Sequence, residues 1–186
     1  MLADATAAAS ADGTSNRIFA EAGREDEALA TLARALPAIQ RTPAGEANLP
    51  AVICDCAWAL WILERTDHID VIEQNLREKV VVPDFRYPMR DGRTALARLC
   101  ALQARYDEAS RWFAEARTVL EEDGARPLRA IVDYDEALMY ARRAADGDRE
   151  RALPLLDAAM RQFAEIGMTG WTRRGDELRA TLAVSL

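Results

Sequence analysis

The chain has 186 residues, half of them apolar, and a formal charge of -7 with acids and arginines interspersed along it. That length allows one buried core or a short array of repeats sharing a core, and the dispersed negative charge excludes a general nucleic-acid or anionic-membrane binder, which needs a basic face to neutralise phosphates. The opening "MLADATAAASADG" lacks the basic and long apolar segments of a secretion signal, no run approaches a membrane span, and three cysteines without framework spacing fit free thiols in a reducing cytoplasm.

Residues 1–15 carry almost no large apolar side chain and are expected to be a flexible or frayed lead-in, with residues 16–186 forming a single helical-repeat domain. From there the apolar residues recur at helical spacing. A first helix is expected from about Arg24 to Gln40, ended by "RTPAGEANLP". Asn48 then caps a second, "AVICDCAWALWIL", with Pro50 in its first turn, where no intrahelical N–H bond is lost. Thr66 or Asp67 caps a third, "HIDVIEQNLREKV". Pro83 and Pro88 forbid a continuous helix through "VVPDFRYPMRDG", which reads as a crossover. Asp91 opens a fourth helix to Ala104, and a fifth runs from about Asp107 to Glu122, stopped by Gly124 and Pro127. A sixth covers about Leu128 to Ala145. Asp148 caps a seventh that ends at Gly167, in which Pro154 predicts a late start or a kink. The last begins near Gly170 or Trp171.

A small-large-small stripe at i, i+4 and i+7 recurs in these helices. It is Ala28, Leu32 and Ala35 in the first, Ala109, Phe113 and Ala116 in the fifth, and Ala152, Leu156 and Ala159 in the seventh. Small residues let a neighbouring helix approach, and the large one fills the groove between helices. The spacing fits a unit of about 40 residues with one divergent copy over residues 49–80, where Ile69, Ile72 and Leu76 stand instead.

The stretch "ARYDEASRWFAEA" resembles the middle of a tetratricopeptide repeat, with Tyr106 at the turn, Glu108 and Ala109 opening the second helix, and Phe113 and Ala116 at packing positions. The first helix of that unit departs from the motif, with Arg93 where Trp is common and Cys100 where Tyr is. The segment "RALPLLDAAMRQFAEIGMTGWTRRGDELRA" is similar to the last repeat of helical tails on bacterial LuxR-type ATPase regulators and on nucleotide cyclases coupled to such ATPases. The resemblance covers about residues 16–184, most closely from 91 onward. It implies an all-α, right-handed α-solenoid of about four helical hairpins that acts as a protein-binding or regulatory scaffold in signalling or transcriptional regulation, with no cofactor. The partner it implies is a protein or peptide segment, including an ATPase or cyclase module in trans, since no G-x-x-x-x-G-K-[ST] phosphate loop is present here.

Cys54 and Cys56 stand two apart, so on a helix their sulfurs point about 200° apart and do not close on one ion. With a single histidine, His68, zinc is not expected, and His68 itself reads as a residue of a capping turn. Most of Asp107, Glu108, Asp133, Asp135 and Glu136 are expected to be solvated, with Asp107–Arg111 and Asp157–Arg161 at the spacing of surface ion pairs. The alternative function, a small α-helical hydrolase, would have to recruit such carboxylates. Trp58 and Trp61 read as core. The crossover mixes aromatics with arginines, the composition of an interface hot spot, which makes Phe85, Arg86, Tyr87, Arg90 and Arg93 the expected partner contacts. The apolar ending "ATLAVSL" suggests docking on a partner or on a second copy in a homodimer.

Overall fold

The computed structural model describes residues 14–82, 84, 86 and 90–184; residues 1–13 of the expected lead-in over 1–15, and Phe85 and Tyr87 of the expected contact site, lie outside them, while residues 14 and 15 are helical. Among the described residues the regular elements are nine α-helices and one π-helical turn, which makes the protein all-α. None of these helices is long and apolar enough to cross a membrane. We label α1 over residues 14–21, α2 Glu25–Arg41, α3 Leu49–Leu63, α4 Ile69–Leu76, α5 Gly92–Leu102, α6 Tyr106–Glu122, α7 Arg126–Arg143, α8 Asp148–Glu165 and α9 Thr169–Val184, with the π-helical turn Arg77–Val81 following α4.

The predicted boundaries of α2 to α9 fall within a few residues of those observed, and the exceptions have local causes. Helix α1 was not anticipated. It buries Asn16 and Ala20, and Ala20 packs with Ala28 and Ala59 while Phe19 covers the group. At α5 the expected cap holds: the Asp91 carboxylate accepts from the Thr94 backbone N–H at 2.9 Å. Asp148 does not cap α8. Its carboxylate turns back to accept from the Ala145 N–H at 3.0 Å and from Arg143, and Gly147, at φ 79°, takes the cap position. Pro154 sits inside α8 without delaying its start, so the expected late start is corrected.

Packing follows from the stripes. All nine stripe residues, from Ala28 to Ala159, are buried to 1% exposure or less. Each stripe begins five residues after a left-handed residue, and these are Gly23, Glu64, Ala104 and Gly147, so the divergent copy shares the register of the others. Only glycine takes that conformation without a steric cost. Glu64 and Ala104 adopt it at helix ends closed by backbone bonds from Arg65 N to Leu60 O and from Arg105 N to Cys100 O, the pattern that satisfies terminal carbonyls.

The described residues fall into two compact units, one up to Trp112 and the other from Phe113 onward. In the first, α2 packs on α3 and α4, and α3 packs on α4 and α5. Its core is built from Leu32, Ile39, Ile53, Leu60, Ile72 and Leu99 among others. In the second, α7 packs on α8 and α9, and α8 on α9. Tyr134, Phe163 and Trp171 form an aromatic group there, with Phe163 stacked on Trp171 at 5.5 Å between centroids. Leu178 and Leu182 of α9 are buried in this unit, whereas Ala180, Ala183 and Val184 are exposed.

The single lysine secures the first unit. Lys79 Nζ donates to the carbonyls of Ile39, Gln40 and Thr42 at 2.7, 3.0 and 2.8 Å, closing the C-terminus of α2 with a cation where the helix dipole is negative. Lys79→Met is expected to cost about 1–3 kcal/mol, because three carbonyls lose charged donors. Urea unfolding measures the loss, and faster amide exchange in the last turn of α2 locates it.

Candidate functional site

The register of the repeat exposes one irregularity. Leu32, Phe113 and Leu156 are the large central residues of three stripes, and four residues after Ile69 the divergent copy has Glu73. A carboxylate therefore stands where the other copies bury a large apolar side chain. Its retention requires partners, and the adjacent helices supply them.

Glu73 Oε1 accepts from Arg77 Nε at 2.9 Å and from Arg77 Nη2 at 2.7 Å. Its Oε2 accepts from Gln103 Nε2 at 2.8 Å and from Arg105. Both arginines continue to a second acid: Arg77 Nη2 reaches Glu108 Oε1 at 2.6 Å and Arg105 Nη1 reaches Glu108 Oε2 at 2.6 Å. Trp112 Nε1 donates to Glu108 Oε1 at 3.3 Å, and the Arg77 guanidinium lies 5.5 Å from the Trp112 ring centroid. The result is a quartet of two acids and two arginines, part-buried at the start of the π-helical turn. Such single π-turns recur at functional positions in helices.

Burial works to raise the carboxyl pKa of Glu73, but the hydrogen bonds from Arg105, Arg77 and Gln103 outweigh it and hold the group below the usual carboxylate value. Glu108 shows the same balance, with burial opposed by Arg77 and Trp112. A depressed folded-state pKa contributes stability that is present above the unfolded value, about 4.3, and is lost as pH falls through the folded one. Glu73→Gln is therefore expected to lower stability by about 1–3 kcal/mol at neutral pH and to flatten the loss of stability below about pH 4. Urea midpoints of both proteins between pH 7 and 3 check this. Parallel curves would show that the quartet contributes nothing.

Metal and nucleophile chemistry find little support at the quartet. Glu73, Glu108 and the Cys100 sulfur lie within 4.8 Å of one another, a spacing an ion could use. Every carboxylate oxygen there already accepts from a guanidinium, so an ion would have to expel Arg77 and Arg105. Burial pushes the Cys100 thiol up to about 11, which keeps it protonated and a poor ligand at neutral pH. Cys54 and Cys56 are buried thiols, as expected, and burial followed by the nearby Asp91 and Asp55 raises the Cys54 pKa further.

The crossover arginines are tied to the protein itself. Arg90 Nε donates to the buried Asp55 Oδ1 at 2.6 Å, and Arg93 pairs with Asp84 and Asp91. Arg86 lies 3.5 Å from Asp84. Arg90 also joins Arg17 and Arg98 around Trp58, with guanidinium carbons 5.9, 5.3 and 4.2 Å from the ring centroid. Trp58 and Trp61 are core residues, as their spacing implied.

Several acids expected in solvent are not there. Asp133, Asp135 and Glu136 are 2%, 2% and 5% exposed, and Arg117 of α6 binds both Asp133 and Glu136. Glu108 belongs to the quartet, while Asp157 is exposed as expected but pairs with Arg179 of α9 where Arg161 was the expected partner. His68 occupies the turn before α4 at φ 57°, exposed, with no side-chain capping bond. Helical periodicity identifies faces but not the arginine on a neighbouring helix that lets an acid be buried. One sequence signal was available: Glu73 breaks a stripe once Ile69 is aligned with Ala28 and Ala109.

Comparison of the chain with protein-family models, curated proteins and solved structures gave no match.

Proposed function

We propose that the protein is a non-catalytic scaffold, a right-handed α-solenoid of about four hairpins that binds a protein or peptide segment in the cytoplasm and serves signalling or transcriptional regulation. The observation that carries this reading is the common register of four stripes, each five residues after a left-handed turn at Gly23, Glu64, Ala104 or Gly147. Repeats of this kind bury their faces against neighbours and leave an extended surface for a partner, including an ATPase or cyclase module supplied in trans. The packing of α2 on both α3 and α4, and of α3 on both α4 and α5, is the neighbour pattern of a stack. The engagement of Glu73, Glu108, Asp133 and Glu136 with arginines speaks against a hydrolase built on those carboxylates.

Affinity capture from native extract, followed by titration with the purified captured protein, tests the reading. A saturable complex is expected. Stoichiometric bound metal, or turnover abolished by one carboxylate substitution, would contradict it. Combined Phe85→Ala and Arg86→Ala is expected to weaken that complex if the crossover contributes, and unchanged binding would remove the crossover from the contact surface.

A further inference from the structure

The hydrogen-bond inventory of the quartet is lopsided. Glu73 and Glu108 have each oxygen taken, and three of the four oxygens accept twice. Arg77 has capacity left: among the described residues it binds through Nε and Nη2, which leaves the Nη1 group for another acceptor, whereas Arg105 Nε meets no acceptor but is buried. A site with saturated acceptors and a spare charged donor complements an acceptor, and a carboxylate oxygen gives the Arg77 Nη1 group a charge-assisted hydrogen bond. Trp112, half-buried beside Arg77, adds the flat aromatic surface found at contact hot spots. The stripe irregularity points the same way, because a charged residue in a packing position is expected where function outweighs packing.

We propose that Arg77 and Trp112, positioned by Glu73, form a contact site for an acidic side chain of a protein partner. This rests on the scaffold reading and names the partner's chemistry. Glu108, the more exposed of the two acids, is the intramolecular competitor for the same guanidinium.

The test titrates the whole chain with a capped peptide of alternating Asp and Glu at low salt, following tryptophan fluorescence, with a capped Lys peptide of equal length as control. Saturable binding of the acidic peptide alone is expected, weakened about tenfold or more by Arg77→Met, the scale of a hot-spot side chain. Glu108→Gln releases Arg77 from its competitor and is expected to tighten binding several-fold. Equal binding of the two peptides, or Arg77→Met within about twofold of the parent, would overturn the site. Should Arg77→Met fail to fold, Glu108→Gln decides, and unchanged affinity there would overturn it. A captured natural partner that still binds Arg77→Met would remove this site and leave the scaffold reading standing, whereas failure to capture any partner counts against the scaffold itself.

Discussion

Phe113→Ala is expected to destabilise the protein by about 3–5 kcal/mol, the cost of emptying a fully buried aromatic position. Phe113 has no exposed surface, and Ala109 and Ala116, four residues before it and three after, are equally covered. Alanine at 113 would leave a void in a close-packed interior that has little freedom to collapse. Since a domain's whole stability is about 5–15 kcal/mol, this one change consumes a large share of it. In urea the midpoint should fall by more than about 1 M, given the usual slope for a chain of this size. Asp107→Ala, on the exposed side of the same helix, should change stability by less than about 0.5 kcal/mol. If the two variants unfolded together, the stripe would not be the packing element that its burial indicates.

The second large effect concerns charge. Arg117→Met should cost about 3–5 kcal/mol, because it leaves Asp133 and Glu136 buried without their shared guanidinium. Arg129 still reaches Asp133 at 3.3 Å, whereas Glu136 keeps only the neutral Tyr140 hydroxyl, at 3.5 Å, and is the acid left without a cation. Adding Glu136→Leu removes the stranded charge, and the double variant is expected to be more stable than Arg117→Met alone. That inversion separates an ion-pair effect from a packing effect. A double variant less stable than either single change would mean that Arg117 acts mainly through its alkyl stem.

These two residues also mark what the sequence discloses. Phe113 was legible because its environment is written locally, in the residues four before and three after it. The helix ends at Gly124 and Gly167 were legible for the same reason, since turn chemistry is local. Arg117, Asp133 and Glu136 were not, because their burial depends on two helices aligning across 16 and 19 residues. The left-handed residues Glu64 and Ala104 give no glycine to read, so the evenness of the repeat appears only in the backbone. The expected contact site illustrates the same limit. Arg90 and Arg93 have the composition of an interface, yet each has an acid of its own protein at hand. The quartet around Glu73 draws on residues 73, 77, 103, 105, 108 and 112, and the turn that brings them together separates them in sequence.

In the scaffold we propose, the protein acts by binding and its clustered carboxylates serve the fold. Calorimetric titration of the purified chain with a captured partner, run beside a Glu73→Gln, Glu136→Gln double variant, tests it most directly. Saturable binding by the parent is expected, with a variant that is less stable yet still folded and neither catalytic turnover nor stoichiometric metal in either protein. Turnover by the parent that disappears in the folded variant, with no saturable partner, would contradict it.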